Sequence, residues 1–282
     1  MNSKNTIAFQ GEVGAYSHLA CSEVFPAMVP LPTPSFEDAF AAATEGQAAL
    51  AMIPIENSLG GRVADIHHLL PESELHIIGE HYQPVHHCLL APAGATMESI
   101  RRVESHPQAL AQCRRFIRRA GFTPVATADT AGSAREIAER GDIACAALAS
   151  SLAGETYGLE TVRANVEDRE GNTTRFVIMS PEPVEPNAAD GPCMTSLVFE
   201  VRSVPAALYK ALGGFATNSV NITKLESYIA DANFRVAQFY LEIEGHPSLP
   251  NVDLALDELR YFSSTLKTLG VYPADPKRYA IT

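Results

Sequence analysis

The chain has 282 residues, 46% of them hydrophobic and 19% charged, which is enough apolar mass for more than one packed core. A formal net charge of −12 excludes nucleic acid or an anionic membrane surface as the main partner. No apolar run approaches the length of a membrane span, and a polar start leads straight into an apolar segment, so the expectation is a cytoplasmic protein without a secretory signal.

Short apolar segments at 7–9, 49–54, 87–91, 124–126, 143–148 and 176–179 read as strands, with amphipathic helices predicted at 17–24, 35–43, 107–120 and 131–140. The helix at 107–120 has Ser105 or His106 at its entry and Pro107 in its first turn. Leu110, Cys113 and Ile117 share a face, and Gly121 stops it. Such alternation predicts a parallel or mixed α/β sheet, and the length suits two lobes with a ligand cleft between them. Residues 181–192 are rich in proline and acid, carry no hydrophobic period and read as a linker. Beyond them come a strand at 195–201, a helix at 205–217, strands at 221–229 and 234–244 joined by a turn at Asp231-Ala232-Asn233, a helix at 252–269 and a short strand near Val271. That order, βαββαβ, is the ferredoxin-like arrangement, in which no catalytic constellation is evident.

The five cysteines (Cys21, Cys88, Cys113, Cys145 and Cys193) are odd in number and widely spaced, and read as reduced, buried small hydrophobes. The basic run Arg114–Arg119 reads as a solvated helix face. Histidines gather at His67, His68, His76, His81, His86 and His87, but adjacent histidines on a strand point to opposite faces and no carboxylates stand at ligand spacing. No metal is expected.

Four segments carry candidate chemistry. Gly11-Glu12-Val13-Gly14-Ala15-Tyr16-Ser17 joins a strand to a helix, where glycines let backbone N–H groups approach an anion. Ile53-Pro54-Ile55-Glu56-Asn57-Ser58-Leu59-Gly60-Gly61 offers a carboxylate, an amide and a hydroxyl before two glycines. Ser105-His106-Pro107-Gln108-Ala109-Leu110-Ala111-Gln112-Cys113 sets polar groups at a helix start, and Asn172-Thr173-Thr174-Arg175-Phe176 begins a strand. Each taken singly is also what a tight turn or helix cap looks like. Together they line strand and helix junctions with uncharged donors, one arginine and few carboxylates, which suits a small polar anion.

In this order the four segments resemble the signature of the prephenate dehydratase family, and Asp129–Ala134 and 146–158 resemble further family segments. The resemblance covers residues 5 to about 180. It implies a two-lobed catalytic domain over 1–182, of periplasmic-binding-protein-like architecture with a cleft between the lobes, then a linker over 183–193. Residues 194–282 are similar to the ACT regulatory domain, which implies phenylalanine as effector and a homodimer or homotetramer. The implied substrate is prephenate, and aromatisation of its ring drives the reaction without a cofactor. By resemblance Thr174 faces the ring hydroxyl and Arg175 holds a carboxylate or stabilises the motif, although strand alternation would send these two side chains to opposite faces. Glu56 and His106 are alternative proton sources, with ordinary pKa values of about 4.3 and about 6.5. Tyr16, Ser17, Asn57, Ser58, Gly61, Gln108, Asn172 and Phe176 are the implied substrate neighbours. Ala207, Leu208, Asn221, Leu225, Glu226 and Ser227 are the implied effector neighbours. Here the family's Glu-Ser-Arg-Pro is reduced to Glu226-Ser227-Tyr228-Ile229, and its Gly-Ala-Leu appears as Pro205-Ala206-Ala207-Leu208. Arogenate dehydratase and a non-catalytic two-lobed sensor stand as alternatives. A fused chorismate mutase is not expected, since the first strand begins by Ile7.

Overall fold

The computed structural model describes residues 3–202, 204–229 and 237–280. The chain opens with β1 (Thr6–Gln10), α1 (Tyr16–Val24), β2 (Val29–Thr33), α2 (Phe36–Thr44), β3 (Leu50–Asn57) and β4 (Gly61–Arg62). Then come α3 (Ile66–Glu72), β5 (His76–Pro84), β6 (Cys88–Ala91), β7 (Arg102–Ser105), α4 (Pro107–Gln112), α5 (Arg114–Ala120) and β8 (Thr123–Ala126). α6 (Thr130–Arg140), β9 (Cys145–Ala149), α7 (Ser151–Tyr157), β10 (Glu160–Arg163) and β11 (Thr173–Ser180) follow. The chain ends with β12 (Cys193–Val201), α8 (Ala207–Thr217), β13 (Ile222–Ile229), β14 (Ala237–Glu244), α9 (Pro250–Phe262), β15 (Ser263–Pro273) and α10 (Lys277–Ala280). Among the described residues no helix is long and apolar enough to cross a membrane.

Two compact units emerge, one of residues 1–63 with 82–176 and one of 64–81 with 177–282; β5 and β11 contribute residues to both. One sheet has the order β2-β1-β3-β11-β5 with β4 paired to β3, and a second has the order β10-β6-β9-β7-β8. β1 lies parallel to both β2 and β3, and β7 parallel to both β8 and β9, so crossover helices cover the faces. The apolar runs at β3 and β9 are buried because each is an interior strand. β2 escapes sequence reading because Val-Pro-Leu-Pro-Thr carries two prolines, tolerable only where one edge of the strand needs no partner.

Two predicted helices are corrected. The stretch 107–120 is two helices, broken at Cys113 (φ −108°, ψ 16°). The cause is Asp168: its carboxylate accepts the N–H groups of Arg115 (2.7 Å) and Phe116 (3.2 Å), while its own N–H donates to the Gln112 carbonyl at 2.7 Å. A carboxylate distant in sequence thus starts a new helix. The helix expected over 252–269 ends at Phe262, and Ser263–Pro273 is a strand of 11 residues paired along β12 from Cys193↔Pro273 to Val201↔Ser263. Leu266 and Leu269 mimic a helical spacing, but the exposed ladder of β12 takes this segment as its partner.

The third sheet, in the order β13-β14-β12-β15, completes the expected βαββαβ arrangement. α8 and α9 cover one face through Phe199, Phe215, Leu241, Leu256 and Leu259. On this unit's other face Lys267 donates to the Pro71 carbonyl at 2.9 Å, and Arg278 pairs with Glu80 at 2.6 Å. The predicted turn at 231–233 lies outside the described residues. All five cysteines are free and buried.

Candidate active site

A cavity of about 350 Å³ lies between the two sheets of the first unit, lined among others by Tyr16, Asn57, His87, His106, Gln108, Gln112, Asp129, Asn172 and Thr174. An adjoining recess shares Gln108, Gln112 and Asn172 and adds Arg115 and Arg169. The lining comes from the ends of strands and starts of helices, where α/β proteins bind ligands.

One hydrogen-bond path crosses the cavity wall. Asn57 closes a tight turn after β3, its Oδ1 accepting the N–H groups of Leu59 (3.0 Å) and Gly60 (2.7 Å). Since a backbone N–H can only donate, the Asn57 amide nitrogen must point the other way. It donates to Asn172 Oδ1 at 2.8 Å and to Thr174 Oγ1 at 3.0 Å. Asn172 Nδ2 in turn donates to Gln112 Oε1 at 3.0 Å, and His87 Nε2 lies 2.8 Å from the same oxygen. Thr174 therefore accepts from Asn57, and its own hydroxyl hydrogen is left for the cavity.

At the other end the Tyr16 hydroxyl donates to the His86 carbonyl at 2.7 Å and stands 2.8 Å from His87 Nδ1. Burial holds the Tyr16 phenol well above its ordinary pKa, helped by nearby Cys88, Cys113 and Glu167, and burial lowers the pKa of His87. Glu167 accepts from the His87 N–H (3.0 Å) and pairs with His86 Nδ1 (2.8 Å). Burial pushes its carboxyl up, but the bonds from His86, from its own backbone and from the His87 N–H outweigh this and leave it below the ordinary value. His106 accepts the Gln108 N–H at Nδ1 (3.2 Å), which leaves Nε2 as the donor of its neutral ring.

The predicted residues divide. Thr174, Asn57, Asn172, Tyr16, His106 and Gln108 meet at the cavity. Arg175 faces away from it on the other side of β11: its side chain is 3% exposed and pairs with Glu56 Oε1 at 2.9 Å, and its guanidinium lies over the Tyr82 ring. The placement of Arg175 against a substrate carboxylate and of Glu56 as a proton source is thereby corrected, because alternation along β11 and β3 turns both side chains from Thr174 and Asn57. Ser58 acts as a strap, donating to the Gly171 carbonyl (3.0 Å) and accepting the Thr173 N–H (2.9 Å). Gly61 serves the β3–β4 turn with φ +78°, Phe176 is buried, and Ser17 stands in the first turn of α1, outside the lining. His87, Gln112 and Asp129 were not singled out by sequence reasoning as site residues. Gln112 and Asp129 lie within the motif segments, and His87 lies in the histidine-rich stretch that has no metal-ligand spacing.

A family model described as prephenate dehydratase matches residues 7–184. The chain belongs to the prephenate dehydratase family. It is accordingly a hydro-lyase. The bifunctional N-acyl-homoserine lactone acylase/prephenate dehydratase of Komagataeibacter europaeus is 50% identical over 278 residues, 99% of either chain. Arogenate dehydratase/prephenate dehydratase 6, chloroplastic, of Arabidopsis thaliana is 39% identical over 285 residues, 95% of this chain and 69% of that one. The solved structure of prephenate dehydratase from Arthrobacter aurescens in complex with L-Phe superposes with a TM-score of 0.87 at 28% identity, over 97% of this chain and 91% of that one.

In the second unit the residues expected to touch an effector also divide. β13 alternates in exposure, so Leu225 and Ser227 lie on its outer face, whereas Glu226 turns inward and pairs with Lys224 at 2.7 Å. Asn221 donates to Glu244 at 3.0 Å, and Ala207 and Leu208 begin α8.

Proposed function

We propose that this prephenate dehydratase family member converts prephenate to phenylpyruvate, carbon dioxide and water, supplying phenylalanine biosynthesis. In this reading the bond between the ring and its carboxylate breaks, and its electron pair enters the ring. The ring C–O bond breaks in the same event, and the departing hydroxide takes up one proton, passed through the Thr174 hydroxyl and replaced from solvent, to leave as water. Thr174 donates its hydroxyl hydrogen toward that oxygen, stabilising charge where it develops. His106 and Gln108 supply further donors that orient the substrate. The observation that carries the reading is the Thr174 hydroxyl in the cavity wall, accepting from Asn57 and so keeping its own hydrogen to give. The proposed organisation is a catalytic part over 1–182, a connector over 183–193 and an ACT module over 194–282 that binds phenylalanine within a homodimer or homotetramer. The relative in complex with L-Phe and the βαββαβ order support that assignment.

Phenylpyruvate formation at neutral pH tests both parts, using wild type, Thr174→Val and Thr174→Ser with and without phenylalanine. Loss in Thr174→Val, retention in Thr174→Ser and a fall with phenylalanine are expected. A well-folded Thr174→Val of full activity would end the assignment. Two further substrates belong in the same assay. Relatives named arogenate dehydratase, 39% identical over 95% of this chain, favour arogenate as a competing substrate. The 50% identity to a relative named as an acylase as well favours hydrolysis of an N-acyl-homoserine lactone.

A further inference from the structure

The wall of the cavity contains a buried histidine for which the proposed reaction has no use. His87 is 2% exposed, and both ring nitrogens are engaged, Nδ1 2.8 Å from the Tyr16 hydroxyl and Nε2 2.8 Å from Gln112 Oε1. The direction of every bond between this ring and Thr174 follows from one fixed end. The N–H groups of Leu59 and Gly60 hold Asn57 Oδ1, so Asn57 Nδ2 faces Asn172 and Thr174. Asn172 Oδ1 is then the acceptor, its Nδ2 the donor, and Gln112 must present Oε1. An oxygen already accepting from Asn172 can be joined at 2.8 Å by a second donor but not by a second acceptor.

We propose that His87 is a positioning residue for the dehydratase site, carrying its ring proton on Nε2 and thereby fixing the polarity of the path Gln112–Asn172–Asn57 that keeps the Thr174 hydroxyl hydrogen directed at substrate. The ring does not touch substrate or exchange a proton with it. Nε2–H completes the second acceptor site on Gln112 Oε1, so the Gln112 amide has no gain in turning over. Without that donor Gln112 is held from one side only, and a flipped amide sets its nitrogen against the Asn172 nitrogen. Asn172 then follows, its oxygen leaves Asn57, and the Asn57 nitrogen has Thr174 alone. With its proton on Nε2, Nδ1 is the bare nitrogen beside the Tyr16 hydroxyl, whose single hydrogen goes either to Nδ1 at 2.8 Å or to the His86 carbonyl at 2.7 Å. Burial favours this neutral ring, and the Glu167 carboxylate, taken up by the His87 N–H and the His86 ring, stands against the backbone and not the Nε2 side.

The inference rests on the dehydratase reading for its kinetic consequence but not for its structural one, and two measurements keep these apart. Nitrogen-15 correlation NMR of histidine-labelled full-length protein at neutral pH, assigned with His87→Gln, reads the tautomer directly. A protonated Nε2 is expected, and a bare Nε2 with the proton on Nδ1 would overturn the proposal whatever the protein catalyses. Kinetics with prephenate supply the second reading. Gln at position 87 can place an amide N–H where Nε2–H stood, whereas Phe fills the space and donates nothing. His87→Phe is expected to lose kcat on the order of tenfold at little changed KM, about the loss of one neutral hydrogen bond. His87→Gln is expected to recover most of it. A folded His87→Phe with wild-type kcat, or a His87→Gln as impaired as His87→Phe, overturns the positioning role. Absence of turnover by wild type overturns the dehydratase reading alone, and the tautomer then decides the present proposal.

Discussion

Replacing Asn57 by aspartate exchanges one NH₂ for an oxygen and reverses the sense of the hydrogen-bond path at its fixed end. The oxygen that accepts from the Leu59 and Gly60 N–H groups, at 3.0 and 2.7 Å, is kept, so the turn after β3 survives. The second carboxylate oxygen takes the place of Nδ2, which donates to Asn172 Oδ1 at 2.8 Å and to Thr174 Oγ1 at 3.0 Å. Two donated bonds vanish, each worth about 0.5–1.5 kcal/mol, and Asn172 Oδ1 loses its donor inside a side chain that is 3% exposed. The expected loss of stability is about 2–4 kcal/mol, read as a shift in the urea midpoint at unchanged slope. The catalytic loss is larger in kind, because the Thr174 hydroxyl now finds an acceptor behind it and turns from the cavity. Its kcat for phenylpyruvate formation should fall on the order of a hundredfold, as for removal of a positioned proton donor, while KM moves little. Wild-type kcat in a folded Asn57→Asp protein would show that the Thr174 hydrogen does not point where the geometry sends it.

Glu56→Gln removes the charge that faces the buried Arg175 guanidinium but leaves the cavity intact. Because Glu56 is 35% exposed, solvent tempers the effect, and a loss of about 1–3 kcal/mol in urea unfolding is expected with kcat less affected than in Thr174→Val. Collapse of kcat at unchanged stability would return Glu56 to the chemistry. Ala206 holds φ +59° at the start of α8, a conformation that only glycine adopts without strain, so Ala206→Gly should raise stability by about 1 kcal/mol. A lower unfolding temperature for that variant would contradict the strain. Burial lowers the pKa of both His18 and His87, so the unfolded chain binds protons more readily than the native one below the ordinary histidine value of about 6.5. Their contribution is complete above that pH and is lost as pH falls through the lowered native values; Tyr16, Glu167 and His86 are the titratable groups facing His87. Urea unfolding should therefore show stability decreasing from pH 7.5 toward pH 5, and less steeply in His87→Gln. A flat profile in wild type would refute the assignment.

The most legible elements in the sequence were those whose signal is local. Buried interior strands such as β3 and β9 announce themselves as apolar runs, and α6 is announced by Asp129, whose carboxylate accepts the Gly132 N–H at 2.6 Å, and by Gly141 at φ +64°. Thr174 and Asn57, which line the cavity, were legible as candidates because short motifs carry them. β2 was hidden by its prolines, the break at Cys113 by a carboxylate 55 positions further on at Asp168, and β15 by leucines spaced as in a helix.

The sequence by itself determined the alternation of strand and helix, the βαββαβ order of the last third and the short motifs that supply the cavity, because each depends on neighbours within a few positions. Only the tertiary structure decided which motif residues face that cavity. Glu56 and Asn57 are adjacent, as are Thr174 and Arg175, and pairing of the strands turns Asn57 and Thr174 to the site while Glu56 and Arg175 meet on the other face. It also joined His87, Gln112 and Asn172 into one directed path, since a hydrogen bond between side chains 25 or 60 residues apart has no counterpart in local spacing.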